Sequence, residues 1–178
     1  FKKYFEVYYF HSLYKELLNF CTLDLSAFYF DIRKDILYCD PIDSKKRKST
    51  IIFLNIILEI LLKWFAPILS FTTEEIFSLL KIETSESIHL EKFATIPSKW
   101  HNKDLNTKWT ELLKIRDKCN ISIETKRASK EIGSSLEANL EIILSDKLIK
   151  FSEGIDFSEL CITSGAKIQK IQNNESEE

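Results

Sequence analysis

The chain of 178 residues contains no methionine and only three glycines and three prolines. Gly133, Gly154 and Gly165 stand far apart, so no glycine-rich loop is available to cradle a nucleotide phosphate. The four cysteines, Cys21, Cys39, Cys119 and Cys161, form no CxxC pair. Neither a zinc knuckle nor a disulfide framework is suggested, and reduced thiols are expected. Excess positive charge is missing too: 25 Lys and Arg face 27 Asp and Glu, a formal charge of -2. A nucleic-acid partner would therefore have to meet a local patch. His11, His89 and His101 lack the Cys, Ser or Asp company that makes a nucleophile or a metal site, and they read as structural or surface groups. With no methionine and a helical pattern from Phe1 onward, the sequence is expected to be a piece of a longer chain. No signal peptide is recognisable.

What is present is a core and helical periodicity. A hydrophobic share of 44% suffices for one main domain with a small appended unit. Phe5, Tyr8, Tyr9, Leu13, Leu17 and Phe20 predict a first amphipathic helix with an aromatic-rich face. Leu25, Phe28, Tyr29, Ile32 and Ile36 predict a second, starting near Ser26 and stopped at Asp40-Pro41. A polar, basic run over 43–48 leads into a third helix that ends before Pro67. The long apolar stretch over 51–71 raises the question of a membrane span. Asn55, Glu59 and Lys63 interrupt it along one stripe, which argues for a helix buried on most sides instead. Thr72 and Glu75 match a capping box for a fourth helix. Four helices with short connections give an antiparallel helix bundle.

The stretch 81–103 reads as a crossing loop. A long helix is expected from Leu105 to about Ile132, with Trp109, Leu112, Leu113, Arg116 and Cys119 on one face and Gly133 as its positive-φ stop. Alternation at Leu140, Ile142 and Leu144, and a similar pattern over 158–163, predict strands in a small α/β unit. The expected organisation is mainly α: a bundle with its loop over 1–103, the long helix and α/β unit over 104–172, and a disordered acidic tail over 173–178.

Four blocks carry a resemblance. Residues 24–40 read DLSAFYFDIRKDILYCD, 63–75 KWFAPILSFTTEE, 88–90 IHL, and 132–138 IGSSLEA after Glu124 and Arg127. In this order they resemble the signatures of the region that follows the catalytic core in isoleucyl-tRNA synthetases, and the likeness covers roughly residues 4–145. It implies a tRNA-gripping, anticodon-binding fragment of an ATP-dependent ligase that joins isoleucine to its tRNA. The HIGH-like and KMSKS-like signatures of the catalytic core are absent from this sequence, so the fragment is not expected to be catalytic. ATP and Mg would belong to the parent enzyme. Cytoplasmic location, a monomer, tRNA and the parent's own catalytic domain as partners, and no membrane contact are implied with it.

Most residues in these blocks are adequately read as core or helix punctuation. The functional claim rests on cations, since phosphates need Lys or Arg and unpaired bases need exposed aromatics. One set is Lys34 and Tyr38 on the second helix with Lys45, Lys46, Arg47 and Lys48 just after it. The other is Arg116, Arg127 and Lys130 on the long helix, with Trp109 nearby. Two departures from the family stand out. Ile36 occupies a position where many members carry arginine, with Arg33 one turn earlier as partial compensation, and the zinc-binding cysteine pairs of many bacterial relatives have no counterpart, so zinc is not expected. A free-standing helical RNA-binding or protein-interaction module, and the equivalent domain of a valyl- or leucyl-tRNA synthetase, are the alternative readings.

Overall fold

The computed structural model describes residues 2–80 and 85–171. It is mainly helical, and it divides into two compact units, Phe1–Pro97 and Ser98–Glu178. The expected tail over 173–178 lies outside the described residues.

In the first unit a short helix, α1 (Lys2–Glu6), turns at Tyr8 (φ 56°) into α2 (Phe10–Asn19). The expected break near residue 20 does not occur. Asn19, Phe20, Phe30 and Asp31 all keep right-handed helical angles, and α2 runs through a π-helical stretch, Phe20–Phe30, straight into α3 (Asp31–Cys39). At about 3.6 residues per turn the eight positions from Leu17 to Leu25 would overshoot two turns, and the wider π turn removes most of that overshoot. Leu13, Leu17, Leu25, Ile32 and Ile36 are accordingly all buried. Asp40 is extended (ψ 148°) before Pro41, and α4 (Lys45–Phe65) then packs on α3.

The end of α4 before Pro67 is as expected. α5 (Ser70–Leu79) is not: it begins two residues before Thr72, and no capping box forms. Ser70 Oγ donates instead to the Ala66 carbonyl (3.1 Å) and Thr73 Oγ1 to the Leu69 carbonyl (3.0 Å), which ties the start of α5 to the preceding turn. Leu62, Ala66, Phe77 and Ile88 form a core between α4, α5 and a 3₁₀ turn at Ile88–Leu90. Glu74 holds that turn, its Oε2 accepting from Ser87 Oγ (2.8 Å) and Ile88 N (3.1 Å).

The second unit is built on α6 (Lys103–Ala128), capped by Asn102 and buried along Leu112, Ile115, Cys119 and Ile123. Its end corrects the sequence reading: Gly133 is not the stop. Lys130 takes the left-handed conformation (φ 60°), with Lys130 N donating to Arg127 O and Glu131 N to Lys126 O, both at 3.0 Å. These are the paired bonds that close a helix around a left-handed residue. Gly133 does not adopt positive φ; its N–H donates to Glu137 Oε2 (2.9 Å), and a Cβ there would stand 3.2 Å from the same carboxylate. β1 (Asn139–Leu144) follows, then α7 (Asp146–Ser152), α8 (Phe157–Cys161) and β2 (Gly165–Lys170), which pairs parallel with β1, Ile142 opposite Ile168. The strand expected over 158–163 is thus mostly helix. Asp156 Oδ1 accepts from Ser158 N and Glu159 N, and Phe157, Leu160 and Cys161 are buried at helical spacing.

Candidate nucleic-acid interface

The junction of α3 and α4 is organised by Asp40. Its carboxylate accepts from Ser44 Oγ (2.7 Å), its carbonyl accepts from Arg47 Nη1 (2.7 Å), and Ser44 Oγ in turn accepts from Arg47 N to cap α4. Arg47 is half-buried and belongs to the turn, whereas Lys45, Lys46 and Lys48 around it are exposed. Arg47 thus secures the start of α4, whereas exposed lysines beside it, with no acidic residue in the first turn, oppose the macrodipole. That placement favours a role toward an anion.

Across the junction, α3 presents Tyr38, 83% exposed, and Lys34 one turn before it. The Lys34 ammonium is 2.8 Å from Asp31 Oδ1, and that hydrogen bond, then the carboxylate's charge, raise its pKa, with the Tyr38 phenol and Asp35 adding to the effect. Ile42, 82% exposed in the turn, adds an apolar surface that periodicity had no means of flagging. Ile36 lies in the core at 6% exposure and is a packing residue. Arg33 stacks on Tyr29, its Cζ 5.8 Å from the ring centre.

The second candidate set separates in space. Arg116 is half-buried, and its Nε donates to the Leu160 carbonyl (3.0 Å), fastening α8 to α6. Eleven positions on, about 16 Å along the helix, Arg127 and Lys130 meet in a groove of about 450 Å³ lined also by Glu124, Ala128, Ile132 and Gly133. Arg127 pairs with Glu124 (2.7 Å). A cation in the last turn of a helix is explained by the macrodipole alone, so this set makes a weaker claim than the first. Trp109 is half-buried.

His89 serves the fold, its Nε2 3.3 Å from the Ser70 carbonyl. Among the described residues no three His, Cys, Asp or Glu side chains gather as metal ligands, and no helix is long and apolar enough to cross a membrane. Lys63, central to that question, lies 2.7 Å from Glu59 and 3.3 Å from Glu91.

A helical bundle with a cationic, aromatic-bearing turn defines a binding module. The family model for the anticodon-binding domain of tRNA ligases matches residues 1–144. The chain is 63% identical over 175 residues to an isoleucine–tRNA ligase of Pelagibacter ubique, covering 98% of this chain and 19% of that protein. It is 42% identical to the isoleucine–tRNA ligase of Bartonella henselae (89% of this chain, 16% of that protein) and 40% identical to that of Agrobacterium fabrum (92% and 17%). The chain belongs to the anticodon-binding domain family of tRNA ligases, and it spans less than a fifth of the length of these relatives.

Proposed function

We propose that this chain is the tRNA-gripping part of an isoleucine–tRNA ligase, holding the anticodon stem-loop while a separate domain activates isoleucine with ATP and esterifies the tRNA. The observation that carries the reading is the family match over residues 1–144, joined by relatives bearing that name along nearly the whole chain. Within it, Lys34, Lys45, Lys46 and Lys48 meet the RNA backbone, and Tyr38 offers its ring to an unpaired base. Arg127 and Lys130 form a secondary contact. Arg47 and Arg116 act indirectly, by shaping the junction and by fastening α8. ATP and magnesium are assigned to the parent's catalytic domain, in keeping with three glycines that lie in separate segments of this chain. The expected setting is a cytoplasmic monomer without zinc.

In a full-length ligase carrying Lys45→Ala and Lys48→Ala, the KM for tRNA should rise severalfold while isoleucine-dependent ATP–pyrophosphate exchange is unchanged. Normal charging at limiting tRNA would remove the α3–α4 junction from the interface, and charging with valine or leucine in place of isoleucine would reassign the ligase.

A further inference from the structure

Two of the four cysteines, distant in sequence, converge in the second unit. Cys119 on α6 and Cys161 at the end of α8 are both free and both buried, 9% and 4% exposed. They lie where α6 and α8 pack together, and each thiol shifts the proton affinity of the other. The frame around them is fixed: Arg116, one turn before Cys119, holds the carbonyl of Leu160, the residue next to Cys161, at 3.0 Å. We propose that Cys119 and Cys161 are a reversible dithiol–disulfide pair that fastens α8 to α6 when the protein meets a peroxide.

The roles of the two sulfurs differ. Contact with Cys161 lowers the Cys119 pKa, while the same contact, followed by burial, raises that of Cys161. Cys119, the less buried of the two, is the nucleophile that a peroxide reaches first, and Cys161 behind it is the resolving thiol. Its thiolate attacks one peroxide oxygen: an S–O bond forms, the O–O bond breaks, and the departing hydroxide leaves as water with the thiol proton. The Cys161 thiolate then displaces the sulfenic oxygen as hydroxide, forming S–S and breaking S–O, and that hydroxide takes up the proton first released by Cys119 to give a second water. Two thiols and one peroxide give one disulfide and two waters, sulfur being oxidised and peroxide oxygen reduced. The bond encloses β1 and α7 within a covalent loop, which restricts the unfolded chain and raises the stability of this unit.

The test uses the intact chain and hydrogen peroxide. After native treatment, remaining thiols are alkylated in denaturant and unreduced peptides are mapped by mass spectrometry, with exposed Cys39 as the internal control for oxidation. A Cys119–Cys161 linked peptide is expected, together with a higher thermal midpoint that dithiothreitol reverses. Cys161→Ser should abolish the link and leave a sulfenic acid at Cys119 that dimedone captures. The proposal is overturned if both thiols are alkylated once Cys39 has been oxidised, if either links to Cys21 or Cys39, or if the linked protein melts no higher than the reduced one.

Discussion

At Asp40 two kinds of cation share one helical turn. Arg47 donates to the Asp40 carbonyl at 2.7 Å from a half-buried position, so Arg47→Ala removes a charged donor and strands part of that acceptor. A loss of about 1–2 kcal/mol is expected, at the lower side of what such bonds contribute because water reaches the site. Lys45→Ala with Lys48→Ala should change stability by only a few tenths of a kcal/mol, in the stabilising direction, because cations at a helix N-terminus oppose the dipole. Urea unfolding midpoints of the two variants separate scaffold from surface. Lys130 offers a sharper separation, since a lysine held at φ 60° carries the steric cost that glycine avoids. Lys130→Gly should stabilise the second unit by about 1 kcal/mol while removing a cation from the groove. Denaturation and RNA titration would therefore move in opposite directions, and a variant weakened in both would deny Lys130 its helix-ending role.

Among the elements, those bounded by prolines or by long periodic faces were legible. Asp40-Pro41 and Ala66-Pro67 ended α3 and α4, and α6 followed from the face of Trp109, Leu112, Leu113, Arg116 and Cys119, of which Leu112 and Cys119 are buried, joined by Ile115 and Ile123. The misses share a cause, because local pattern does not record what tertiary packing selects. Phe20–Phe30 mixes apolar residues with Thr22, Asp24 and Ser26 and gathers no strong one-sided apolar face at the α-helical period, so the pattern there does not distinguish a break from a widened turn. The five residues of α8 are too few to separate periods of two and 3.6, and Asp156 as its cap was the overlooked signal. The candidate site was legible as a set of charges, but Arg47 and Arg116 turned inward to carbonyls whose positions only the fold defines. A further tie of this kind joins α4 to the segment after its partner turn. The Lys63 hydrogen bond to Glu59, followed by the charge of that carboxylate and by Glu91, raises the lysine's pKa. A raised pKa means that the group's stabilisation is complete below the unfolded value of about 10.4 and is lost as pH climbs through the higher folded value. Thermal midpoints followed from pH 9 upward should fall more steeply in the wild type than in Lys63→Met, and parallel curves would sink the assignment.

For the whole molecule, a formal charge of -2 means that the proposed RNA binding must draw on local contacts against a weakly repulsive background. Each lysine that neutralises a phosphate of unpaired RNA releases about 0.7 of a counterion, so the slope of log affinity against log salt counts those contacts. With Lys34, Lys45, Lys46 and Lys48 all engaged, the junction alone contributes a slope of about -2.8 for an anticodon stem-loop RNA, a weakening of about 50-fold between 50 and 200 mM salt. Lys45→Ala with Lys48→Ala should make the slope shallower by about 1.4. Tyr38→Ala should weaken binding by about tenfold and leave the slope alone, because stacking releases no counterions. These two signatures separate backbone contact from base contact at one junction. A slope untouched by the lysine substitutions, but reduced by Arg127→Ala with Lys130→Ala, would transfer the interface to the groove at the end of α6.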